Sequence, residues 1–149
     1  MKDIYNYQFL NEKLSSSGMP TAEQMEEVAG AGVRVVINLA LTTSPGALPN
    51  EDQVVESLGM TYIHIPVEWN NPTQQNLEDF FSAMVNHQEE KVLVHCQANY
   101  RASSFVMLYR VLRLGWKKED AIPVMEKMWN PEDFPVWQTF IDENLPDES

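Results

Sequence analysis

Lys91-Val92-Leu93-Val94-His95-Cys96-Gln97-Ala98-Asn99-Tyr100-Arg101-Ala102-Ser103 is an apolar run that stops at a His-Cys pair and reaches an arginine five positions after the cysteine. It reads as a buried strand, a tight loop and the start of a helix, with the only cysteine of the chain at the strand's end. A thiol placed there faces the backbone N–H groups of the loop and the positive end of the following helix, an environment that stabilises a thiolate. The same groups suit a phosphate or sulfate.

Working outward, helical and strand patterns alternate. Thr21 with Gln24 has the form of a capping box, and the spacing predicts a helix over 22–29, closed by Gly30 and Gly32. The β-branched run 33–39 suits a strand buried on both faces. A turn-rich loop over 42–50, a short helix over 51–58 and a strand over 61–67 follow. Thr73 caps a helix whose Leu77, Phe80, Phe81, Met84 and Val85 form one apolar stripe. Val92–Val94 is the central strand, and 102–114 is a helix buried on much of its circumference. Two further helical stretches, 118–128 and 136–144, are separated by Pro131 and Pro135. This alternation predicts an α/β fold: a single domain over 1–149, with a mainly parallel central sheet and helices on both faces. Ligands of such sheets sit beyond the carboxyl ends of the strands, where Cys96 lies.

The 149 residues, 44% of them hydrophobic, are enough for one core and too few for two ordinary domains. A net charge of −12 with no cluster of Lys and Arg excludes a nucleic-acid binder. The acidic end, 142–149, reads as a solvated face. No run approaches the length of a membrane span, and the first six residues lack a signal-peptide core, so a soluble cytoplasmic chain is the expectation unless a leader has been trimmed. One cysteine and three scattered histidines give no metal site, and no cofactor is implied.

Within the loop, Cys96 is the candidate nucleophile. Gln97, Ala98, Asn99, Tyr100, Arg101 and Ala102 offer backbone amides to an oxyanion, and the Arg101 guanidinium can pair with two of its oxygens. The alternative for Arg101 is an ordinary salt bridge at the helix start. His95 either orients the loop through a backbone hydrogen bond or is a buried structural residue. Ser103 either hydrogen-bonds Cys96 or lies on a helix surface.

These residues resemble the signature of cysteine-dependent phosphatases, in which His-Cys is followed by five residues and an arginine. In that pattern a glycine commonly stands three positions after the cysteine and a hydroxyl residue seven after. Asn99 and Ser103 hold those places here, and Asn tolerates the left-handed backbone almost as glycine does. Arg101 comes one position early, leaving four intervening residues. That interval is the loop length of rhodanese-like sulfurtransferases, which suits a persulfide. Ile65-Pro66-Val67-Glu68-Trp69-Asn70-Asn71-Pro72 resembles the general-acid loop of dual-specificity and lipid phosphatases. Trp69 occupies its acid position, so Glu68 becomes the provisional acid and Trp69 a wall of the pocket. Ser16–Thr21 and Gly32–Leu39 resemble the opening of a bacterial family of small phosphatase-like proteins, a domain of unknown function related to dual-specificity phosphatases and also found fused to other enzymes. The resemblance implies a dual-specificity-phosphatase-like three-layer fold. It implies hydrolysis of a phosphate ester, of unspecified class, through a phosphocysteine. Two alternatives stand beside it: an oxyanion-binding regulatory module with weak or no turnover, and a rhodanese-like sulfurtransferase.

Overall fold

The Gln24 N–H donates to Thr21 Oγ1 at 3.1 Å and the Thr21 N–H donates to Gln24 Oε1 at 2.9 Å, so helix α1 (Ala22–Gly30) begins where the capping box predicts. The computed structural model describes residues 1–146; residues 147–149 of the acidic end lie outside the described residues. A second reciprocal cap, Thr73 with Asn76, starts the longer helix α3 (Gln74–Asn86). Between them lies α2 (Glu51–Ser57), and after them α4 (Tyr100–Leu112), α5 (Lys118–Glu126) and α6 (Pro135–Asn144).

Five strands form one sheet: β1 (Gln8–Asn11), β2 (Leu14–Ser17), β3 (Val35–Asn38), β4 (Thr61–His64) and β5 (Val92–His95), in the order β1-β2-β5-β3-β4. All neighbours run parallel except the edge strand β1, which turns back on β2. Side chains alternate between the faces of a strand, and here each face has its own core. Val35, Ile37, Val92 and Val94 pack with Leu77 and Phe80 of α3, Phe105 and Leu108 of α4 and Trp137 of α6. Val36 and Leu93 pack on the opposite side with Met25 and Val28 of α1 and Val55 of α2. The result is the three-layer α/β architecture expected from the alternation.

Three boundaries differ from the sequence pattern. The β1–β2 hairpin carries no apolar alternation: β2 is Leu-Ser-Ser-Ser, yet all four residues are buried because it is sandwiched between β1 and β5. Strand β4 ends at His64 because the chain then bends across the end of β3, with Ile65 N–H donating to Asn38 O and Val67 N–H to Leu39 O. Helix α4 starts at Tyr100, two residues earlier than its apolar stripe.

Past the end of β2, Gly18 lies against the loop that carries Cys96. A Cβ at Gly18 would stand 2.7 Å from Gln97 O and 2.9 Å from Tyr5 O, both backbone atoms. The neighbouring Met19 N–H donates to Gln97 O at 3.0 Å, so the close approach is part of what holds the loop. Gly18→Ala is expected to lose about 1–3 kcal/mol of stability through this overlap, read as a lower urea midpoint at unchanged slope. Parental stability would show that the loop yields instead.

Candidate active site

His95 and Cys96 are adjacent in sequence but serve opposite sides of the sheet. Continuing the alternation of β5, His95 points to the α2 face and is fully buried, whereas Cys96 joins the larger core beside α4 and is 1% exposed. The loop then turns through Asn99, whose φ of +70° is in the left-handed region. Its side chain is committed to holding that turn: Asn99 Nδ2 donates to Asn6 O at 2.9 Å and Ser16 Oγ at 3.1 Å, while Asn6 Nδ2 donates to Ala98 O at 2.9 Å. The carbonyls of Gln97 and Ala98 are thereby occupied. Among the described residues, the N–H groups of Gln97, Ala98, Tyr100, Arg101 and Ala102 donate to no protein acceptor, while Asn99 takes part in the antiparallel bridge of Gly18 with Ala98 and Ser103 N–H donates to Asn99 O. Orphan amides of this kind at a helix start are satisfied by water or by an anion.

Arg101, on the first turn of α4, is 5% exposed. Its Nη1 donates to Val67 O at 2.8 Å, and among the described residues no carboxylate pairs with it, so the salt bridge that would explain it structurally is not formed. Arg101 and Cys96 line one cavity of about 260 Å³ together with Gln97, Ala98, Tyr100, Trp69 and Phe134. Trp69 is held by a cluster of rings: Trp129 and Trp137 each lie 5.5 Å away and Phe134 5.3 Å, centroid to centroid, while Trp137 Nε1 donates to Trp69 O at 2.8 Å. Tyr100 stacks on Trp129 at 4.9 Å. Phe134, from the end of the chain, walls the cavity, and Trp129 and Trp137 back Trp69 from behind it; nothing in their local pattern announced this.

Two of the expected site residues lie away from the cavity. Glu68 is exposed, its peptide bridges to Asn71, and it is not among the residues that line the cavity; the bend after β4 turns Trp69 inward in its place. Ser103 Oγ donates to Tyr100 O at 3.2 Å and makes no hydrogen bond to Cys96, because α4 carries it round to the side of Arg110 and Met125. The cavity lining therefore contains no carboxylate. Asp79 is engaged by Gln75 on the exposed side of α3. No group of metal-ligating residues occurs among the described residues, and no helix among them is long and apolar enough to cross a membrane.

On the other face, His95 meets a residue that the sequence pattern did not single out. His95 Nε2 lies 2.6 Å from Glu51 Oε2 and Nδ1 lies 3.2 Å from Cys96 O. Asn38 Nδ2 donates to Glu51 Oε1 at 3.2 Å and to Tyr62 Oη at 3.0 Å. The Tyr62 phenol is pushed up to about 12, chiefly because burial disfavours the phenolate, with the negative Glu51 and Asp52 adding to the rise against the hydrogen bond from Asn38. Glu51 is the first residue of α2, and an acidic residue there reads from sequence as a partner for the helix dipole; its burial was the missing signal.

Among known proteins, the chain is 40% identical to a candidate phosphatase (DUF442) from Shewanella putrefaciens CN-32, whose crystal structure superposes with a TM-score of 0.89 over 96% of this chain and 90% of that one. Pseudomonas aeruginosa TpbA, solved in complex with pTyr, shares the fold at a TM-score of 0.71 and 15% identity, covering 95% of this chain and 91% of that one. A beta-lactamase hydrolase-like protein from Xylella fastidiosa is 29% identical over 117 residues, which are 74% of this chain and 26% of that protein, so the chain spans about a quarter of the length of the curated relative. Residues 6–135 match the model of a family described as DSP-PTPase phosphatase fused to NAD+ kinase. With Cys96 at the end of the central strand of a phosphatase-like three-layer fold, and with this match spanning most of its length, the chain belongs to that DSP-PTPase family.

Proposed function

We propose that this chain is a single-domain, cysteine-dependent hydrolase of phosphate monoesters. The observation that carries the reading is Arg101: a guanidinium 5% exposed, with no carboxylate partner among the described residues, in the same cavity as Cys96 and beside the amides of the loop. Burying a charge without a counter-charge costs several kcal/mol, and a phosphoryl dianion in the cavity offsets that cost. In the reaction, Cys96 Sγ bonds to phosphorus as the bond to the leaving oxygen breaks. The amides and Arg101 hold the equatorial oxygens through the transition state. Water then attacks the phosphocysteine, the S–P bond breaks, and orthophosphate and the Cys96 thiolate are released.

With no carboxylate in the lining, the leaving oxygen departs without a carboxylic acid from the cavity wall to protonate it, which favours leaving groups that are stable as anions. The walls of Trp69, Tyr100 and Phe134 suit a planar apolar group. Cys96→Ser is expected to abolish turnover of p-nitrophenyl phosphate; turnover that survives would exclude Cys96 as the nucleophile. Glu68→Gln is expected to leave the ratio of aryl to alkyl phosphate turnover within about twofold, and a selective loss of alkyl phosphate turnover would restore Glu68 as the acid.

A second reading draws on the four-residue interval between Cys96 and Arg101 and on the acid-free lining. Transfer of sulfur from thiosulfate needs no general acid. Cys96 Sγ bonds to the outer sulfur, the sulfur–sulfur bond of thiosulfate breaks, and sulfite leaves with the electron pair. Mass spectrometry after incubation with thiosulfate should then show one added sulfur on Cys96, and an unchanged mass removes this reading. Binding of orthophosphate or sulfate with neither turnover nor added sulfur would identify an oxyanion-binding module.

A further inference from the structure

The Glu51–His95 pair lies outside the cavity that holds Cys96, and every atom of its hydrogen bonding is accounted for. His95 is fully buried and Glu51 is 5% exposed. Both ring nitrogens of His95 face oxygens: Nδ1 a carbonyl, which only accepts, and Nε2 a carboxyl oxygen at 2.6 Å. The other carboxyl oxygen, Oε1, receives Asn38 Nδ2, so Glu51 is satisfied as a double acceptor. Asn38 is itself fixed, since its Oδ1 accepts from Ala40 N–H and its Nδ2 also reaches Tyr62 Oη. No lysine or arginine pairs with Glu51 among the described residues. On the neighbouring strand His64 is engaged with Ala40 O rather than with the pair. The sheet register dictates the meeting, because Asn38 lies directly opposite His95 on the same face and α2 covers that face.

We propose that Glu51 is a positioning residue for Cys96: its carboxylate keeps His95 doubly protonated, with Nδ1–H anchored on the Cys96 carbonyl. The carboxylate thus places a cationic ring directly behind the nucleophile and fixes the peptide that follows it, although it touches no substrate. In this arrangement the positive end of the pair faces the loop and the negative end faces Asn38, so the Cys96 thiolate gains electrostatic support from the side opposite Arg101. The proposal rests on the reading of Cys96 as a nucleophile, and it is tested by measurements that do not need turnover.

Glu51→Gln separates charge from shape. The amide oxygen can accept from Asn38 while its NH₂ donates to Nε2 of a neutral ring, which keeps both hydrogen bonds and removes the cation. This variant is expected to keep its melting temperature within a few degrees, to slow alkylation of Cys96 by iodoacetamide about tenfold at neutral pH, and to lower kcat for p-nitrophenyl phosphate with KM within about twofold. Unchanged alkylation in a folded Glu51→Gln protein overturns the proposal. In the unmodified protein, ¹⁵N spectra of the histidine rings, assigned by loss of one set in His95→Gln, should show both His95 nitrogens protonated at neutral pH. An unprotonated nitrogen at His95 overturns it equally, whether or not Glu51→Gln folds. A protein that alkylates and titrates as expected but turns over no phosphate ester would instead count against the hydrolase reading and leave this one standing.

Discussion

Strand β5 imposes the constraint from which the site follows: consecutive side chains on a strand leave by opposite faces. At its end this sends His95 toward α2 and Cys96 toward α4, so that one dipeptide contributes to two different environments. The α4 side is apolar and aromatic around the Cys96 cavity; the α2 side is a polar chain from Tyr62 through Asn38 and Glu51 to the buried His95, and its outer members line a separate cavity of about 720 Å³. A register slip of one residue would exchange the two, placing the imidazole in the cavity and the thiol against Glu51. The flanking pairing of β5 with both β2 and β3 makes such a slip costly, because each of their four residues is matched.

The loop after β5 is held in shape from outside. Its carbonyls are occupied from outside by Met19 and Asn6, Asn99 supplies the left-handed turn, and Gly18 leaves the space that lets β2 approach. What remains is a row of amides at a helix start and one buried guanidinium with no carboxylate partner among the described residues. Arg101 compensates for its early position by lying across the cavity and bonding the Val67 carbonyl, which ties the α4 start to the segment after β4. That segment brings Trp69 rather than a carboxylate to the cavity, and four further aromatic rings keep it there. The cavity therefore carries a guanidinium and aromatic walls but no carboxylate.

Much of this was legible in the chain itself. The capping box at Thr21, the cap at Thr73, the apolar stripe of α3, the β-branched runs of β3 and β5 and the His-Cys loop are local features, and local features survive being read without coordinates because they depend on hydrogen bonds and periodicities spanning three or four residues. The left-handed turn at Asn99 is legible for the same reason. The serine-rich β2 was not, since its burial comes from the strands on either side of it and not from its own composition.

The amino-acid sequence by itself determined the order of helices and strands from α1 onward, the mainly parallel sheet, and the placing of a single thiol at a strand's end near an arginine. Only the tertiary structure decided which carboxylate is buried beside the His-Cys pair. Glu68, near the expected acid position, is carried outward by a bend after β4, while Glu51, forty-five residues before Cys96, is carried inward by helix α2 to meet His95. Which residues face one another across a cavity depends on how whole elements stack. The free energy of that stacking is spread over two cores and recorded in no short stretch of the chain.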